Sequence, residues 1–104
     1  MRLAQLDILE FCRNAVYVAP KWPDDYWPAP EREADEAAWQ QSVAAFRADL
    51  EAMTQLVADP ATDLYARIPR GDGQTILREA LLVADHNSYH LGVLTILKRL
   101  LTAS

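Results

Sequence analysis

The chain has 104 residues, 51% of them hydrophobic and 24% charged, with a formal net charge of −5. That is room for one small ordered domain, and the composition excludes a disordered chain. The acidic balance and scattered Lys and Arg argue against a nucleic-acid partner, one cysteine allows no internal disulfide, and no apolar run approaches a membrane span. The expectation is a cytoplasmic protein with neither nucleic acid nor membrane as partner.

The first element predicted is a helix over about residues 2–14, carried by Leu3, Leu6, Ile8, Leu9, Phe11 and Cys12. No capping residue precedes it. Cys12 reads as a small buried hydrophobe, because no histidine neighbours it in sequence. Residues 16–30 follow as a Pro/Trp-rich crossover in which Pro20, Pro23, Pro28 and Pro30 forbid a helix. Its aromatics Tyr17, Trp22, Tyr26 and Trp27 suit a loop anchored on the body of the protein, with lining a pocket mouth as a second role.

A second helix is predicted over about residues 33–58. Glu31, Glu33, Asp35 and Glu36 crowd its start, where negative charge suits the helix dipole. Trp39, Val43, Phe46, Leu50, Met53 and Val57 form a seam at steps of three and four, and Asp59-Pro60 ends it. Gly71-Asp72-Gly73 marks a turn, with Asp72 or Thr75 available to cap the last helix. No nucleotide-binding loop is read into it, since no strand precedes it.

The third helix, over about residues 74–101, carries both histidines in the run His86-Asn87-Ser88-Tyr89-His90. At 100° per residue His86 and His90 fall in line with Ile76, Val83, Val93, Leu97 and Leu101. Arg78, Asp85, Ser88, Gly92, Thr95 and Arg99 gather on a separate strip. The histidines are therefore expected to point into a packed interior. Two readings stay open: a pair of core histidines with hydrogen-bond partners, or two ligands of a divalent transition metal held at about 2 Å from each ring nitrogen. Catalytic zinc wants three protein ligands. With no third histidine, Asp7, Cys12, Glu79, Asp85 or a second chain would have to complete the set.

The whole reads as a single all-α domain over 1–104, a helical bundle of three main helices. The third helix is apolar over more than half its circumference. A homodimer that buries Tyr89, Val93, Ile96 and Leu100 is the expected consequence.

The stretch from Asp72 through His86-Asn87-Ser88-Tyr89-His90-Leu91-Gly92 resembles the final helix of the DinB superfamily. Gln5-Leu6-Asp7-Ile8-Leu9-Glu10-Phe11 and Trp22-Pro23-Asp24-Asp25-Tyr26-Trp27-Pro28 resemble earlier parts of the same proteins, so the likeness covers nearly the whole chain. It implies a four-helix bundle, often dimeric, in which three histidines bind nickel, zinc or a similar ion. Two of the three map onto His86 and His90. Relatives include thiol-dependent S-transferases, which implies a small thiol or other small molecule as substrate. The sequence departs from the pattern at its start: the family's first ligand lies on a helix before the part that matches Arg2-Leu3-Ala4-Gln5, and the family's Gln after Gly92 is Val93 here. The resemblance thus implies an N-terminally truncated member with an incomplete metal site. The alternative expectation is a non-catalytic dimeric helical scaffold that has lost the family metal site.

Overall fold

A computed structural model describes residues 1–26 and 35–103. The described residues are all-helical, in the order α1 (Arg2–Arg13), a 3₁₀ turn (Asp24–Tyr26), α2 (Glu36–Ala58) and α3 (Ile76–Thr102). They contain no strand, only an isolated antiparallel bridge between Arg67 and Thr75.

Helix α1 buries one stripe, Gln5, Leu9 and Cys12, at the four- and three-residue steps that stack side chains on one face. Its end is closed locally: the Asn14 amide N–H donates to the Glu10 carbonyl, and the Asn14 side chain donates to the Glu10 carboxylate at 3.0 Å. Arg70 reaches across from a distant loop to donate to the Phe11 carbonyl at 2.5 Å, one of the carbonyls that a helix leaves open at its last turn.

Helix α2 starts where Asp35 accepts a hydrogen bond from the Ala38 amide at 2.7 Å, a cap that contributes about 1 kcal/mol. Glu36 lies in its first turn. Glu31, Glu33 and the predicted start at residue 33 lie outside the described residues. Of the predicted seam, Met53 is buried and Val43, Phe46 and Val57 are half-buried, but Trp39 and Leu50 are exposed. The reason is length. Twelve residues of α1 span about 18 Å and the 23 of α2 about 35 Å. Gln5, in the first turn of α1, is bonded to Phe46 near the middle of α2. The N-terminal half of α2 therefore runs on past the helix that would cover it.

The connection from Asp59 to Thr75 folds back tightly. Asp59 and Asp63 each accept from an amide two residues on, Ile68 is buried, and the Ile68 and Leu77 amides donate to the carbonyls of Gln74 and Leu64. Gly73 has φ 109°, a region that favours glycine. At Gly71 a Cβ would come within 2.6 Å of the Phe11 ring, so a side chain there would displace the loop from α1.

Thr75, rather than Asp72, caps α3 by accepting from the Arg78 amide at 3.1 Å. Ile76, Glu79 and Val83 are buried. The core collects Leu9, Cys12, Met53, Ile68, Ile76 and Val83, with Phe11, Leu56 and Leu64 packed against it. It sits at the end of the molecule where α2 stops and α3 begins. From Leu91 to Ala103 every residue of the chain is exposed, so Val93, Leu97 and Leu101, expected in the interior, are not buried.

Candidate functional site

The two histidines lie one turn apart on α3, at the level where α1 begins. Asn87, between them in sequence, donates its side-chain amide to Gln5 at 2.8 Å, and Gln5 donates to the Phe46 carbonyl at 2.9 Å. Gln5 is 1% exposed. This polar bridge joins all three helices next to the histidines and sets how far α1 covers α3.

His86 and His90 turn their rings toward each other. The two Nε2 atoms are 3.0 Å apart, with ring centroids at 4.5 Å and planes at 64°. Tyr89 packs its ring edge-on against His90 at 5.4 Å. Both histidines are half-buried rather than enclosed, which corrects the expectation of a packed interior. The physical reason is the one that exposes Trp39: the first turn of α1 lies at their level, and no described element continues over them.

The state of the pair follows from this geometry. At 3.0 Å one nitrogen donates and the other accepts, so at least one ring is neutral. Partial burial, the Met1 amino group and His86, in that order, hold the His90 imidazole below its usual range and favour its neutral form. Neutral imidazoles are the form that binds metal. An ion about 2.0–2.1 Å from both nitrogens would subtend an angle of roughly 90° across a 3.0 Å gap. That is a fitting bite for two neighbouring positions around a transition metal, so the donor pair suits such an ion in number two, not three.

None of the expected third ligands joins them. Among the described residues no three His, Cys, Asp or Glu side chains come together as a metal-holding group. Asp7 is engaged by the loop after α1, accepting from the Tyr17 hydroxyl at 2.5 Å and from the Tyr26 hydroxyl at 2.8 Å. Cys12 is in the core. Burial, then the Glu79 carboxylate, pushes its thiol up to about 11 against the opposing pull of Arg70, so it stays protonated at neutral pH. Glu79 is buried and accepts from Arg78 at 2.7 Å, while Asp85 is exposed.

The loop of residues 14–26 does line a cleft, as its aromatic content suggested, but not one at the histidines. A cleft of about 210 Å³ lies against α1, walled by Leu3, Leu6, Asp7, Glu10, Tyr17 and Tyr26 among others. Burial and the hydrogen bond to Asp7 push the Tyr26 phenol up to about 12 and raise that of Tyr17 further, so both remain donors to the carboxylate. Trp22 stays 76% exposed and touches Tyr26 instead of the body, and Trp27 lies outside the described residues.

The residues that position the pair, Gln5 and Asn87, were not singled out by sequence pattern. The available signal was a polar residue on each helix's buried stripe, which a periodicity reading treats as an interruption. No helix among the described residues is long and apolar enough to cross a membrane. The chain matches no family model, no curated protein and no solved structure.

Proposed function

We propose that the chain is a DinB-like helical protein that binds a divalent transition metal, nickel or zinc in type, through His86 and His90. The observation that carries this reading is the convergence of the two Nε2 atoms at 3.0 Å. The favoured neutral state of His90 supports it, because the site need not first lose a proton there at neutral pH. The resemblance adds a reaction class, thiol-dependent S-transfer on a small molecule. A metal at such a site supplies a lowered pKa to a coordinated thiol or water. On the protein side, His86 and His90 would hold the ion, and their half-buried setting would leave it open to an exogenous thiol or water.

A second reading has its own observation. With two donors and no third among the described residues, the fold serves as a non-catalytic helical scaffold that keeps the pair without the chemistry.

Elemental analysis of tag-free protein purified without chelator, wild type against His86→Ala, tests the two. About one ion per chain or per dimer, lost in the variant, is the expected result. No stoichiometric metal in wild type after soaking and desalting would overturn the metal reading and leave the scaffold.

A further inference from the structure

We infer that the cleft between α1 and the loop of residues 14–26 binds a small organic cation, an ammonium ion carried on an apolar body. The site stands apart from the histidines and needs no metal. At 100° per residue Leu3, Leu6, Asp7, Glu10 and Asn14 fall on one side of α1, roughly opposite the core stripe of Gln5, Leu9 and Cys12. Neither Leu3 nor Leu6 is among the hydrophobics packed on the core, yet both are half-buried. They line the cleft that the returning loop closes.

The loop does not collapse onto these leucines. Tyr17 and Tyr26 hold it at the Asp7 carboxylate, and a concave space of about 210 Å³ is left beneath. That is smaller than the pockets that take drug-sized molecules, and it suits a ligand of a few carbons. Its floor is apolar, so the body of such a ligand leaves water when it enters.

The polar part of the wall is one-sided. Asp7, Glu10 and Asp25 bring carboxylates to it, and among the described residues no Lys or Arg lines it. Arg13 reaches Glu10 at 3.3 Å from outside the wall, while Asp7 and Asp25 are in no salt bridge among the described residues. The side-chain donors of the wall are already turned on these acids: Tyr17 and Tyr26 donate to Asp7, and Asn14 donates to Glu10. Carboxylate and phenol oxygens keep further lone pairs after accepting or donating once. The wall therefore repels an anion and offers acceptors to a group that only donates.

An ammonium is such a group, with three donors and no acceptor. Tyrosine rings are also of the kind that attracts a cation. Among the described residues the carboxylates do not converge as a metal-holding group. The negative charge is spread along an apolar wall instead, which suits an organic cation better than a bare divalent ion.

Titration of the full chain with hexylamine, 1-hexanol and hexanoate, followed by amide NMR with chelator present, tests the site. Hexylamine is expected to give saturable shifts that gather on the first three turns of α1 and on the loop of residues 14–26. Hexanol, which has the body without the charge, is expected to bind about tenfold more weakly, and hexanoate not at all. Asp7→Asn is expected to weaken hexylamine by about tenfold. Leu6→Lys puts the chain's own ammonium on the cleft side of α1, away from the core, and is expected to abolish binding with helicity unchanged by circular dichroism. Hexanol binding as tightly as hexylamine would overturn the cation and leave a plain apolar cleft. Shifts that never saturate, that gather elsewhere on the acidic surface, or that persist in a folded Leu6→Lys would overturn the site itself.

Discussion

Asn87 of α3 donates to Gln5 of α1 at 2.8 Å, and Gln5 is among the most deeply buried side chains of the protein. Because Gln5 also donates to the Phe46 carbonyl of α2, one amide closes the contact among all three helices. It stands one turn below the top of α1, beside the histidine pair. Replacing Gln5 by Ala would leave the Asn87 amide without its partner, take a second donor from the Phe46 carbonyl, which keeps only its helical bond, and open a void, a loss of about 2–4 kcal/mol. For a domain of this size that is a fall of roughly 10–25 °C in melting temperature. Thermal melts of Gln5→Ala and of an exposed control such as Gln41→Ala separate the bridge from a general sensitivity to substitution.

The Asn87 side chain is itself unevenly satisfied, since its Oδ1 is buried without a hydrogen-bond partner among the described residues. Asn87→Ala is therefore expected to cost less than Gln5→Ala, about 1–2 kcal/mol, because one unpaired acceptor is removed together with one donor. Urea unfolding of both single variants and of the double variant reads the coupling, and the double is expected to fall short of the sum.

His90 is held neutral by partial burial, the Met1 amino group and His86, so its titration lies below the ordinary 6.5. A histidine with a lowered folded-state pKa contributes stability that is present above 6.5 and lost as pH falls through the folded value. Ring-proton shifts followed by NMR should place the His90 midpoint under 6.5, and His86→Ala should move it upward by removing the neighbouring imidazole. A midpoint at or above 6.5 in the wild type would contradict a His90 held in its neutral form.

At the alkaline end the sign reverses. Cys12, raised from 9.0 to about 11, and Tyr26, raised from 10.0 to about 12, keep their protons longer in the folded chain than in the unfolded one. The folded state binds more protons over that window, so stability is full below about pH 9 and declines as pH rises toward 11 and 12. The urea midpoint should fall across that range, and Cys12→Ala should flatten its first part. Native Cys12 should also react slowly with a thiol reagent at pH 8 and quickly once unfolded.

Tyr17 and Tyr26 hold the loop of residues 14–26 on α1 through the Asp7 carboxylate. Tyr17→Phe is expected to cost about 1 kcal/mol and to loosen the loop more than the body. Limited digestion by trypsin reads this at Lys21, which lies between the two anchors and is exposed. Cleavage there should quicken severalfold in Tyr17→Phe with the helices intact.

Sequence alone determined the elements. Proline placement and the 3.6-residue repeat set the three helices, Asp59-Pro60 closed α2, and Gly71-Asp72-Gly73 with Thr75 opened α3, because these signals act over one or two turns. The spacing of His86 and His90 likewise determined that the two rings would meet, since a helix stacks positions four apart. What lies over them was decided only by tertiary structure. An apolar line on a helix says which side seeks cover and not whether another element is long enough to supply it. Here α1, twelve residues long and pinned by Gln5 at the middle of α2 and α3, covers Ile76 and Val83 and leaves Leu97 and Leu101 bare. Asp7 and Cys12 went elsewhere for the same reason: one is engaged by Tyr17 and Tyr26 of the following loop and the other by core packing, and such pairings leave no period in the chain to be read, while Glu79 is buried and held by its neighbour Arg78.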